Sequence, residues 1–348
     1  MHKLLTVVIP MYNVEKYVRK CLESFVMPDK KKMESLEVLC INDGSPDHSA
    51  DIAKEFQTKC PETFRVIDKK NGNYGSCINR GLEEAKGLYF KVCDGDDYYN
   101  TEALGRLIDM LGKTSADIVL SSYQEVNEQG DVKKTSVLQD ELLGKVWPIE
   151  EVDIDRFDIR FNIKMHCLTT RTELLRQHGY KQTEGISYTD NQLAFYSCLY
   201  AQTMAFLKDI VYCYRLGVNG QTMDPKSLMK HYTEIGMVEY GLLKEYNTSA
   251  THASEAKKKM LRVLCFYLEI IFSKINFHYV KDSNGEGDKL FIKIADYAKN
   301  MTDSYFFSAI MRDSSSRYFY QGKMSHRAIY LLNKVKDPLL KAYFSIKS

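Results

Sequence analysis

Apolar runs and helical periods alternate through the first third of the chain. LTVVIP (Leu5 to Pro10), LEVLCI (Leu36 to Ile41), Phe64 to Asp68 and Leu88 to Cys93 are short and nearly continuously hydrophobic. That is the pattern of strands covered on both faces. VEKYVRKCLESF (Val14 to Phe25), DHSADIAKEFQTK (Asp47 to Lys59) and SCINRGLEEAKG (Ser76 to Gly87) carry helical periodicity between them. The rhythm predicts an α/β fold, a mostly parallel sheet with helices on both faces. A further helix is predicted over Glu102 to Leu111 and a strand over Asp117 to Tyr123. VNEQGDVKK, with Gly130-Asp131 at its centre, predicts a hairpin turn. Short elements of mixed type fill Asp140 to Tyr214. From about Met229 the pattern is helical, interrupted by the polar loop DSNGEGD (Asp282 to Asp288).

The change of patterning, together with Asp224-Pro225, divides the chain into an expected α/β domain at 1–225 and an expected helical region at 226–348. Charge changes at the same place. Residues 1–225 hold 28 basic and 34 acidic side chains, whereas 226–348 hold 20 basic and 12 acidic ones. The formal net charge of +2 gives no global signal for nucleic acid. The basic tail reads as a Lys-rich helical surface or as a face turned to an anionic acceptor or membrane, with LLNKVKDPLLKAYFSIK (Leu331 to Lys347) as the amphipathic segment. The tail aromatics Tyr318, Phe319, Tyr320, Tyr330, Tyr343 and Phe344 fall at helical spacing and read as core. Nine scattered cysteines without a C-x-x-C pair suit a reducing compartment. No leader pattern follows the first apolar run, and LRVLCFYLEIIF from Leu261 is too short and too charged to span a bilayer. A cytoplasmic protein, soluble or peripheral at the inner face of the membrane, is the expectation.

Candidate chemistry gathers at the predicted carboxyl ends of the strands, where open parallel sheets bind ligands. VCDGDDYY sets Asp94, Asp96 and Asp97 directly after YFKVC. Three carboxylates in four residues repel one another, and a hard divalent cation, Mn²⁺ or Mg²⁺, is the natural compensation. Gly95 permits a tight turn between the spaced pair. A solvated acidic turn capping the next helix would give the same residues. Pro10 and Tyr12 leave the first strand and offer an aromatic face for a nucleobase. Asp43 leaves the second and reads either as a base-edge acceptor or as an Asx-turn before Ser45-Pro46.

TVVIPMYNVEKYVRKCLESF, EVLCINDGSPDHSADIA, NGNYGSCINRGLEEAKGLYF and DGDDYY, in this order, resemble the family 2 inverting glycosyltransferases, whose catalytic domain has the GT-A fold. The resemblance is close over about the first 110 residues and weaker to about 225. It implies that Tyr12 and Asp43 hold the nucleobase, and that Asp94 and Asp96 meet the ribose and the diphosphate-bound metal. Asn71, Asn73, Gly75 and Asn79 are implied to line the donor pocket. The family commonly has Arg-Asn where this chain reads Ile78-Asn79, which leaves Lys91 or Arg80 to supply the missing charge. EGISYTDNQLAF (Glu184 to Phe195) resembles the segment in which a Glu-Asp pair precedes a helix and its Asp deprotonates the acceptor. Asp190 matches that base, Thr189 stands in place of the Glu, and Glu184 is the reserve. Arg215 and His231 are lesser candidates for closing over the diphosphate, and His166 is read as structural.

The resemblance implies sugar transfer from a nucleotide-diphosphate donor, a UDP-sugar by preference, to a glycan, lipid-linked or protein-linked acceptor in polysaccharide synthesis. A homo-oligomer is compatible with it. Two alternatives stay open. A sugar-phosphate nucleotidyltransferase would want a Gly-rich loop that IPMYNVEK lacks. A non-catalytic sugar-nucleotide-binding partner is kept open by Ile78 and Thr189.

Overall fold

Strand β1 (Leu5–Met11) is buried almost throughout because it has a parallel neighbour on each side. Those neighbours are β2 (Leu36–Asn42) and β4 (Tyr89–Val92), and β2 in turn pairs in parallel with β3 (Phe64–Asp68). The structure is a computed structural model that describes residues 3–160, 162–217, 225–280 and 285–336. Between these strands run α1 (Glu15–Glu23), α2 (Lys30–Ser35), α3 (Ser49–Lys59) and α4 (Asn73–Glu84). The short α2 was not predicted. The Asp29 carboxylate caps it by accepting from the Lys31 and Lys32 N–H groups. Helix α4 begins at Asn73, three residues before the predicted start, with Asn73 itself at a φ of 66°.

The rest of the sheet is added by β5 (Tyr98–Tyr99), β6 (Ile118–Val126), β7 (Val132–Ser136), β8 (Trp147–Pro148), β9 (Leu168–Arg171) and β10 (Thr203–Arg215). Strand order is β3-β2-β1-β4-β9-β6-β10-β5, with β7 on β6 and β8 on β10. Strand β9 is antiparallel to both β4 and β6, so the sheet is mixed where its two parallel blocks meet. The predicted hairpin joins β6 and β7, with Gly130 at a φ of 95°. Helices α5 (Thr101–Leu111), α6 (Thr172–Gln177) and α7 (Asp190–Tyr200) complete this part.

The chain groups into two compact units, residues 1–218 with 254–260, and residues 219–253 with 261–348. The second is helical: α8 (Pro225–Ser249), most of α9 (Glu255–Lys274), a π-turn at Ile275–Tyr279, α10 (Glu286–Lys299), α11 (Tyr305–Ile310), α12 (Ser314–Tyr320) and α13 (His326–Lys336). Phe277, Phe291 and Phe319 meet in its core, with ring centroids 4.9 to 5.9 Å apart. Of the predicted core aromatics, Tyr330 is buried and Tyr318 is exposed. Asp224 at the expected boundary, residues 281–284 of the polar loop, and 337–348 of the basic tail with Tyr343 and Phe344 lie outside the described residues. Among the described residues no helix is long and apolar enough to cross a membrane. All nine cysteines are free thiols, and only Cys60 is not fully buried.

Candidate active site

The edge formed by the ends of β1 and β2 is fastened at Asp43. Its N–H donates to the Met11 carbonyl at 3.0 Å, and its side chain is buried. Carboxylate Oδ1 accepts from the Lys69 ammonium at 2.5 Å and the Gly72 N–H at 3.0 Å. Lys69 also donates to Ser76 Oγ at 2.7 Å. The sequence reading missed Lys69, which follows β3 and has no motif to mark it. Asn71 donates through Nδ2 to the Asp43 carbonyl at 3.0 Å, so this predicted donor contact fastens one loop to the next. Tyr12, just past the end of β1, is 50% exposed, and Pro10 is half-buried.

The acidic motif leaves β4 and is clamped from β10. Tyr212 accepts the Asp94 N–H at 3.2 Å and donates its hydroxyl to Asp97 Oδ2 at 2.6 Å. Asp97 Oδ1 accepts the Arg215 N–H at 2.7 Å. Asp97 is therefore a buried clamp, while Asp94 and Asp96 remain half-buried. Gly95 serves close approach and not a left-handed turn. A Cβ there would lie 3.0 Å from the Pro10 carbonyl oxygen and 3.0 Å from Val14 Cγ2. Burial pushes the Asp94 carboxyl well above its ordinary range, and the charges of Asp96 and Asp190 push the same way. The Tyr74 hydroxyl hydrogen-bonds to Asp94, and Asp94 Oδ1 is buried with no partner.

Asp190 is the first residue of α7, half-buried, with its carboxylate hydrogen-bonded to the N–H groups of Asp190 and Asn191. Burial raises its pKa, and those bonds and Lys164 pull it back. The segment before it is tied down closely. Thr189 Oγ1 accepts from Gln182 Nε2 at 3.0 Å, and Gln192 exchanges two 2.9 Å hydrogen bonds with Thr183. Asn79 Oδ1 accepts the Gln182 N–H at 2.8 Å, and its Nδ2 donates to the Gln182 carbonyl at 2.9 Å and Glu184 Oε1 at 2.8 Å. A Cβ on Gly75 would stand 1.9 Å from the Thr183 carbonyl oxygen. Asn79 and Gly75, expected to line the donor pocket, seat the segment that leads to Asp190 on α4. Glu184, the reserve base, is exposed and held by Asn79.

The two cations offered in place of the missing arginine point elsewhere. Lys91 is fully buried, donates to the carbonyls of His166 and Leu168 at 2.9 Å each, and is pulled down to about 8 by burial. Arg80 pairs with Glu84 at 2.6 Å. Arg215 is buried with its guanidinium over the rings of Tyr17 and Tyr98, and His231 on α8 pairs with Glu234 at 2.7 Å. A half-buried cation the sequence did not single out, Lys164, donates to the Tyr123 hydroxyl at 2.7 Å and lies within electrostatic reach of Asp190. His166, read as structural, joins the acidic motif. Asp94, Asp97 and His166 each set a ligand atom within 4.8 Å of the others. Burial, with Lys164 and Lys91 nearby, lowers the imidazole pKa and keeps the ring neutral. Carboxylate oxygens with a neutral imidazole, and a buried Asp94 Oδ1 lacking a partner, fit a divalent cation.

Strand order, the acidic loop after β4 and the carboxylate opening α7 define the class, an enzyme of the GT-A glycosyltransferase fold. S. aureus TarS 1-349 in complex with UDP-GlcNAc superposes with a TM-score of 0.68, 18% identity, and coverage of 95% of this chain and 91% of that one. The mannosyltransferase PcManGT from Pyrobaculum calidifontis, in complex with GDP-Man and Mn²⁺, gives a TM-score of 0.50 and 12% identity over 97% of this chain and 89% of that one. Residues 6–177 match the model of glycosyl transferase family 2. The uncharacterized glycosyltransferase EpsJ of Bacillus subtilis (strain 168) is 27% identical over 224 residues, 64% of this chain and 64% of its own length. Residues 6–177 form a glycosyltransferase family 2 domain.

Proposed function

We propose that the chain transfers a sugar from a nucleotide-diphosphate donor, a UDP-sugar by preference, to a hydroxyl of a glycan or glycoconjugate, with inversion at the anomeric carbon. The observation that carries this reading is the acidic motif at the end of β4, where Asp94 and Asp97 set carboxylate oxygens within 4.8 Å of a His166 ring nitrogen. Asp190, at the start of α7, is near enough for its charge to push the Asp94 pKa up. In this reading Tyr12 offers its ring to the nucleobase and the crevice edge fastened by Asp43 receives the base edge. When bound, a divalent cation, Mn²⁺ or Mg²⁺, on Asp94 and Asp96 supplies positive charge for the departing diphosphate. Asp190 takes the acceptor hydroxyl proton as that oxygen bonds to the anomeric carbon and the bond to the diphosphate breaks. The raised pKa of Asp190 makes it a better proton acceptor than a solvated carboxylate. The complexes of TarS with UDP-GlcNAc and of PcManGT with GDP-Man and Mn²⁺ support a nucleotide-sugar donor and a metal.

A screen of UDP-, GDP- and dTDP-sugars for Mn²⁺-dependent thermal shift and slow donor hydrolysis tests this reading. A UDP-sugar should stabilise the protein and be hydrolysed only with metal present. Stabilisation without hydrolysis or transfer of any donor would favour a non-catalytic nucleotide-sugar-binding role.

A further inference from the structure

We propose that His166 is a protein ligand of the donor-site cation, joining Asp94 across the gap between β4 and the turn before β9. The inference rests on the metal-dependent reading above and adds a residue outside the acidic motif. Two buried polar atoms stand without partners at this one place, Asp94 Oδ1 and His166 Nδ1. A buried polar atom left without a partner is destabilising. The two orphans belong to residues whose ligand atoms lie within 4.8 Å of one another, and their complementary ligand chemistry indicates one missing shared partner. Asp97, the third member, already accepts from Tyr212 and Arg215 through both oxygens, so it serves as clamp and background charge.

The ring is held as a ligand is held. Tyr212 meets it edge-on at 4.7 Å, Tyr214 lies tilted at 4.6 Å, and Tyr123 stacks at 6.2 Å. Its backbone is held by Lys91, whose ammonium binds the carbonyls on both sides of Cys167. Lys91 stands on β4 three residues before Asp94, so one strand fixes the carboxylate directly and the imidazole through a buried ammonium. Such outer partners orient metal ligands and tune their affinity. A nitrogen ligand also favours Mn²⁺ over Mg²⁺, because Mg²⁺ prefers an all-oxygen octahedron.

Pulsed electron paramagnetic resonance on the full chain with Mn²⁺ and UDP tests this without any variant. Bound Mn²⁺ should show nitrogen-14 modulation of its spin echo. His166→Gln should abolish the modulation and weaken Mn²⁺ binding by at least about tenfold. Its affinity for UDP without metal should not change. Mn²⁺ that binds with UDP but shows no nitrogen coupling, or coupling that survives His166→Gln, overturns this proposal alone. Mn²⁺ that fails to bind in the presence of UDP overturns the metal reading and this proposal with it.

Discussion

Two regions of this protein bury paired acids, and they neutralise them differently. At the end of β4, Asp94 and Asp97 sit beside His166, and Asp94 Oδ1 has no hydrogen-bond partner. In the helical unit, Glu239 on α8 and Glu269 on α9 are 1% and 3% exposed and hydrogen-bond to one another. Burial, then the charge of Glu269, pushes Glu239 up, while burial takes Glu269 to about 7 despite the bonds from Glu239 and Ser273. The groups acting on that pair, Ser273, Cys265 and Asp313, bring no positive charge. A shared proton answers like charges when two carboxylates can bond each other. Where they are splayed by a clamp and faced by an imidazole, the chemistry calls for a cation. The contrast separates an acid pair that can share a proton from one whose geometry fits a cation.

The sharpest way to break this contrast is to remove the proposed base, Asp190, near the proposed cation site. Asp190→Asn should lower kcat by about 10²-fold or more and leave donor and Mn²⁺ affinity intact, because only proton removal is lost. Steady-state kinetics with acceptor present, read against UDP binding, checks it. Normal transfer by this variant, with loss in Glu184→Gln, would mean the wrong carboxylate is assigned.

Next in size is the support under that base. Gly75→Ala places a methyl 1.9 Å from the Thr183 carbonyl oxygen, so the 182–184 segment must lift from α4. The expected loss is about 1–3 kcal/mol of stability, read by denaturant unfolding, with kcat falling along with it. Unchanged stability would show that the segment is not seated as described.

Asp94→Asn should act in two opposed ways. It removes a charge that burial and the neighbouring Asp96 and Asp190 disfavour and should stabilise the metal-free protein by about 1 kcal/mol, yet cancel the stabilisation that Mn²⁺ with UDP confers. Thermal unfolding with and without Mn²⁺ and UDP reads both effects.

The smallest effect is predicted for the helical pair. A glutamate whose folded pKa lies above its unfolded value binds more protons in the native state, so stability falls as pH rises. For Glu269 this contribution is complete below about 4.5 and is lost as pH passes through about 7. Glu239→Gln should therefore gain about 1 kcal/mol at pH 8, nothing at pH 4, and leave donor turnover unchanged. A gain of equal size at both pH values would contradict a shared proton.

What was legible in the sequence follows from the reach of each signal. Strands β1 to β4 announced themselves because burial on both faces leaves continuous apolar runs, and Asp43, Asp94 and Asp190 stood at element ends where periodicity stops. Strand β9 was hidden because LTTR is four residues long and half threonine. Lys91 was misjudged because on a strand covered on both faces parity shows no solvent side, and its ammonium was met by carbonyls 75 and 77 residues away. Asn79 and Gly75 are assigned to the donor pocket from their place in the motif, yet the partners the fold gives them come from 103 to 108 residues further on. His166 had no pattern at all, since only the folded sheet brings it to Asp94. Local periodicity locates elements, but partners separated by this much chain appear only in three dimensions.

The central claim is that the β4 acids are a cation site serving donor chemistry. The most direct measurement is release of UDP from UDP-GlcNAc, and from other UDP-sugars, by the purified chain in Mn²⁺ and in EDTA. UDP should be released with Mn²⁺, release should be almost completely lost in EDTA, and Mn²⁺ should not restore it in Asp96→Ala. Equal rates in EDTA, or full activity of Asp96→Ala, would contradict it.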